Sequence, residues 1–143
     1  MLTEKSKLNF QLVGEPVGKA RPRFSAGRVY TPTKTADYER RLSTAAWQQM
    51  VVSNLTVTDK PVSVQIVMEA PIPKSWSKLD KKIAALGGRA PSKPDVDNVL
   101  KIILDACNGI VYRDDAQVVH VDIRKRYGAE ASPGCVYVSM GWE

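Results

Sequence analysis

The 143-residue sequence predicts a single α+β domain spanning residues 1–143, with one mixed β-sheet covered by helices. Three observations predict it. Several stretches alternate apolar and polar residues at the period of a half-buried strand. Others repeat their apolar residues every three to four positions, as amphipathic helices do. The length suits one hydrophobic core but leaves no room for two.

Leu8–Val13 (LNFQLV), bounded by Gly14 and Pro16, reads as the first strand. The following Glu15–Pro32 contains three prolines and two glycines and sustains neither period, so it reads as a long basic loop or loose hairpin. Loops of that length are usually functional or disordered. Phe24 and Tyr30 beside Arg21, Arg23 and Arg28 favour function, because aromatic rings stack on bases while arginines hold phosphates. Thr35 to about Asn54 reads as the longest helix, with Thr35 as N-cap, Asp37 and Glu39 in the first turns, and a core stripe of Tyr38, Leu42, Ala45, Ala46 and Met50.

Val62–Glu69 (VSVQIVME) alternates cleanly and reads as the second strand. Ser77–Leu86 has helical composition and stops at Gly87-Gly88; its lysines read as solvated. Val96–Cys107 is helical through Val99, Ile103 and Ala106 and ends at Asn108-Gly109. Ile110–Tyr112 reads as a short strand and Gln117–Tyr127 as a longer one, with Val119, Val121 and Ile123 facing inward against His120, Asp122 and Arg124. A final hairpin returns through Val136, Val138 and Met140. The chain has no internal repeats and no low-complexity segments.

Composition narrows the function classes. A hydrophobic share of 43% and a charged share of 25% are ordinary for a globular protein. No apolar run approaches the roughly 20 residues of a membrane span, and the N-terminus lacks the pattern of a secretion leader, so no membrane partner and a cytoplasmic location are expected. Cys107, Cys135 and the lone His120 share no metal-binding spacing, which argues against zinc and for reduced, buried thiols. Of a net charge of +6, most lies between Val17 and Arg41, where seven basic residues meet two acidic ones. A phosphate-rich partner follows from that concentration, with a merely solvated surface as the alternative.

Against this background the stretch Lys93–Val121 stands out. Asp95 and Asp97 lie one residue apart, Lys101 follows on the same helical face as Asp97, and Asp114 and Asp115 come after the helix. Such acids would repel the polyanion that the rest of the chain attracts unless a cation sits between them. Converging carboxylates suit Mg2+, with Mn2+ as its substitute, and a lysine beside them suits phosphodiester hydrolysis: the metal activates a water, while the ammonium holds the phosphate. Each residue alone also has an ordinary reading. Asp95 can cap the helix, Asp97 can pair with Lys101, Asp114-Asp115 can form an acidic turn, and Asp105 can pair with Lys101. His120 reads as a surface residue, Asp122 as at most an outer acid, and Trp47, Trp76 and Trp142 as packing or interface residues.

DVDNVLK followed by DDAQVV resembles the RusA family of Holliday-junction resolvases of phages and prophages. VGKARPRF and PIPKSWS look like segments of one branch of that family, so the resemblance covers most of the chain in order. It implies a RusA-like fold and a homodimeric, Mg2+-dependent endonuclease that resolves four-way DNA junctions by paired symmetric nicks. Carried over by motif, the metal-binding acids fall on Asp95, Asp97 and Asp115, with Asp114 beside them, and the catalytic lysine on Lys101. DNA contacts are expected from Lys19, Arg21, Arg23, Arg28 and Lys93. Two rivals stand beside this reading: a non-catalytic nucleic-acid-binding module, and a metal-dependent nuclease acting on other branched DNA such as flaps or forks.

Overall fold

In the computed structural model, residues 5–30 and 32–143 are described, with the side chain of Tyr30 outside that set. The stacking role expected of Tyr30 therefore falls outside the described residues. Six strands and three helices follow in the order β1 (Ser6–Val13), β2 (Arg23–Ser25), β3 (Arg28–Tyr30), α1 (Thr33–Val52), β4 (Val62–Ala70), α2 (Lys78–Ala85), α3 (Val96–Cys107), β5 (Val118–Tyr127) and β6 (Cys135–Trp142), with a 3-10 turn at Asp115–Gln117 before β5.

The main sheet has the order β1-β6-β4-β5. β6 lies antiparallel to both β1 and β4, whereas β5 runs parallel to β4, so the sheet is mixed as expected. A parallel neighbour needs a crossover, and the chain between β4 and β5 supplies it through α2 and α3. Alternation decides which face is covered. Leu8 and Phe10 of β1, Val62, Val64, Ile66 and Met68 of β4, and Val136, Val138 and Met140 of β6 are buried together with Leu42, Ala46 and Met50 of α1 and Val99, Ile102 and Ile103 of α3. Each fully buried aliphatic side chain of this kind contributes about 1.5–3 kcal/mol relative to exposure. On the other face of the sheet Lys7, Asn9, Gln11, Ser63 and Gln65 are exposed.

Of the two readings of the basic loop, the hairpin holds: β2–β3 turns through Ala26 and Gly27 with φ of 51° and 77°. Positive φ at both central residues is the tight-hairpin geometry whose twist matches paired strands. Several other expectations shift. Helix α1 begins at Thr33 with Pro32 at its N-cap, and Thr35 is buried instead of capping. Ile110–Tyr112 is a turn and not a strand; Tyr112 bridges to Thr58 and Asn108 while its ring fills the core. Val119, expected to face inward, is 68% exposed. The cause is a bulge: Val62 pairs with Val118, Ser63 pairs with His120, and Val119 is skipped, which resets the phase so that Val121 and Ile123 pair with Val64 and Ile66. Trp142 is buried and Trp76 packs edge-on against Tyr127, but Trp47 is exposed. Cys107 and Cys135 are free and buried, and burial pushes the Cys107 thiol up to about 12. No helix among the described residues is long and apolar enough to cross a membrane.

Candidate active site

Helix α3 carries the first half of the site. Lys93-Pro94, a cis peptide, leads into Asp95 at the N-cap, and Lys125 of β5 donates to the Pro94 carbonyl at 3.4 Å, fixing the start of the helix against the sheet edge. Asp95, Asp97 and Lys101 are all exposed. Asp95 makes no capping bond through its side chain, and among the described residues the Asp97 side chain accepts one hydrogen bond, from the amide of Asn98 at 3.0 Å. Among the described residues neither Asp97 nor Asp105 forms an ion pair with Lys101. Asp95 thus occupies the N-cap and Asp97 the first turn, the ordinary positions open to them, but without a side-chain cap bond from Asp95 or a pair between Asp97 and Lys101 among the described residues.

Asp114 and Asp115 are held differently. Gln117 clamps their turn: its Oε1 accepts the amides of Arg113 and Asp114 at 2.9 and 3.1 Å, while its Nε2 donates to the carbonyls of Thr58 and Lys60 at 2.9 and 3.0 Å. Tyr112 fixes the same connection from below, donating its hydroxyl to the Leu104 carbonyl of α3 at 2.6 Å. Because these bonds tie the turn's own amides to backbone carbonyls of α3 and of the segment before β4, the turn that carries the two carboxylates is anchored to the body of the domain. Partial burial, then the neighbouring Asp114 carboxyl, then Asp105 push the Asp115 carboxyl above its ordinary range, and Lys101 pulls it back. Asp115, Asp105 and Lys101 therefore share one electrostatic neighbourhood.

Lys101 thus shares the electrostatic neighbourhood of Asp115, while Asp95 and Asp97 stand at the start of the helix that carries Lys101. No three carboxylate, imidazole or thiolate side chains among the described residues stand within reach of a single ion. The chemistry of the four acids, carboxylate oxygens at the surface with the crowded Asp114-Asp115 pair among them, is the kind a hard divalent cation takes, although no three of them are gathered around one point.

The basic residues separate into two groups. Arg23 and Arg28, with Phe24 and Val29 at 74% and 69% exposure, lie on the exposed β2–β3 arm and Arg21 just before it, and none of the three arginines has a carboxylate partner among the described residues. Lys93 is exposed beside Asp95. Lys19, expected on DNA, is instead turned inward: its ammonium meets Glu39 of α1 at 2.5 Å and Asp105 of α3 at 3.2 Å. Asp105 is accordingly the partner of Lys19 and not of Lys101. Burial lowers the Lys19 pKa, but the bonds to Glu39 and Asp105 outweigh it and hold the ammonium above its ordinary value. Sequence reasoning missed Glu39 and Gln117 as supports. For Gln117 a signal existed: Asp114-x-x-Gln117 has the spacing of a capping box, whose glutamine reaches back to the N-cap amide.

Residues 13–139 match the family model described as Endodeoxyribonuclease RusA. The chain belongs to the RusA endodeoxyribonuclease family. It is also 37% identical over 130 residues to the uncharacterized protein YqaN of Bacillus subtilis (strain 168), covering 86% of this chain and 89% of that protein.

Proposed function

We propose that this protein is a divalent-metal-dependent endonuclease that acts as a homodimer and resolves four-way DNA junctions by paired symmetric nicks. The observation that carries the proposal is that Asp97 and Lys101 share one exposed face of α3 without pairing to each other, with Asp95 at the N-cap of that helix and Lys101 in the electrostatic neighbourhood of Asp115 on the clamped turn. Asp95, Asp97 and Asp115, with Asp114 adjoining, would hold Mg2+ or Mn2+. When bound, the cation supplies an activated water and neutralises charge developing on the phosphate. Lys101 contacts a phosphate oxygen, where its compact charge is worth more as the leaving group departs. Gln117 keeps Asp115 aligned while the DNA is drawn across it. Arg21, Arg23, Arg28 and Lys93 hold the phosphate backbone, and Phe24 offers a ring to an unstacked base. A junction carries equivalent strands on opposite sides, so a twofold pair of sites matches its symmetry.

Cleavage of a synthetic four-way junction with and without Mg2+ tests the reading. The wild type should nick only with metal, and Asp97→Asn should lower the rate by roughly 10²-fold or more while junction binding persists. Equal cleavage by the variant would remove Asp97 from the site. A parallel panel of flaps, forks and linear duplex decides whether the four-way junction is the preferred substrate.

A further inference from the structure

The root of the basic arm is docked on the catalytic helix through one lysine. Gly18 makes the approach possible, because a Cβ at that position would lie 2.8 Å from the Cβ of Asn98. The next amide, that of Lys19, donates to the Asn98 carbonyl at 2.8 Å. The Lys19 side chain then reaches Asp105, two turns further along α3, and crosses to Glu39 on α1. One residue thereby ties the arm to both helices that cover the sheet.

This tie bears on Lys101. Two acids on α3 lie four residues from Lys101, Asp97 before it and Asp105 after it, and both spacings favour ion pairs on a helix. Asp97 belongs to the proposed metal set. Asp105 is occupied by Lys19, which leaves Lys101 without a carboxylate partner among the described residues.

We propose that Lys19 is a positioning residue for Lys101: by engaging Asp105 and Glu39 it keeps Asp105 from pairing with Lys101, so that the Lys101 ammonium is available to the scissile phosphate, and it seats the root of the arm beside the site. The inference rests on the nuclease reading and adds a role that is not DNA contact. Lys19 touches neither metal nor phosphate in this scheme; it acts through Asp105.

The test uses the full chain with a four-way junction and Mg2+, comparing Lys19→Met, Lys19→Arg and the double variant Lys19→Met/Asp105→Asn. Lys19→Met should lower kcat by roughly 10-fold to 100-fold, the range seen when the support of a functional group is removed. Lys19→Arg should retain most of the rate, and adding Asp105→Asn to Lys19→Met should restore most of it, since the freed carboxylate is then gone. Metal-free junction binding by Lys19→Met should keep the salt dependence of the wild type. Failure of Asp105→Asn to restore kcat, or a salt slope reduced by about one, the signature of a lost phosphate contact, would overturn the proposal. A double-mutant cycle on Lys19 and Asp105 by thermal unfolding separates the two layers. No coupling overturns the tie itself. Coupling in a wild type that cleaves no DNA overturns the nuclease reading, and the role at Lys101 with it, while leaving the tie intact.

Discussion

Lys19 and the arginines at positions 21, 23 and 28 belong to one basic stretch of sequence, yet the fold uses them in opposite ways. Lys19 is turned into a partly buried contact with Glu39 and Asp105, whereas the arginines stand exposed on a two-stranded arm and the segment leading into it, with no carboxylate partner among the described residues. Charge counted along a chain is therefore not charge available to a ligand. What separates the two is reach: Gly18 brings the backbone against α3, so the next side chain lands among carboxylates, while Arg23 and Arg28 are carried outward by the β2–β3 turn.

The comparison can be broken at either end. The largest effect on stability is expected from Lys19→Met, which leaves Glu39 and Asp105 facing each other uncompensated and should cost about 1–3 kcal/mol, a loss of several degrees in Tm. The pH dependence has a definite sign. Because the folded-state pKa of Lys19 is raised, its contribution is fully present below the unfolded value and fades as pH climbs through the folded one. Thermal melts of wild type and Lys19→Met should then keep their difference up to the ordinary lysine value of 10.5 and converge only at higher pH, as Lys19 loses its proton. Gln117→Leu comes next. It strips the clamp from the acidic turn while leaving every acid in place, and should cost about 1–3 kcal/mol by calorimetry and slow cleavage without weakening junction binding.

Truncating an arm residue should show the reverse pattern. Arg21→Ala, Arg23→Ala or Arg28→Ala should each change stability by less than about 0.5 kcal/mol but lower the salt slope of junction binding by about one. A large loss of Tm for any of them would mean that the arm is built into the fold after all. The smallest effect is expected at the turn of the arm, where Ala26 adopts a φ of 51°. Ala26→Gly should relieve a strain of about 1 kcal/mol at most, offset by the entropy of glycine, and amide exchange across the β2–β3 pair would report the difference.

The elements that carry the candidate site were legible because their signals are local. The helix Val96–Cys107 appears where its apolar period and the Asn108-Gly109 stop place it, which sets Asp97 and Lys101 on one face without reference to any other part of the chain. The strands β1, β4 and β6 follow their alternation for the same reason. Where a single residue interrupts the period, local reading fails: the bulge at Val119 shifts the phase of β5, and nothing in VVHVDI marks it.

The sequence by itself determined the identity of the elements, the acidic pairs with their lysine, and the surplus of positive charge in one loop, because periodicity and spacing act between near neighbours. Only the tertiary structure decided which charges remain free and what supports the acids. Lys19 finds Glu39 twenty residues away and Asp105 much further on, and Gln117 holds Asp115 in place through carbonyls at Thr58 and Lys60, 59 and 57 residues distant. Such contacts depend on where the sheet order and the crossover carry each segment, and a hydrogen bond of a few ångströms leaves no trace in the local pattern of either partner.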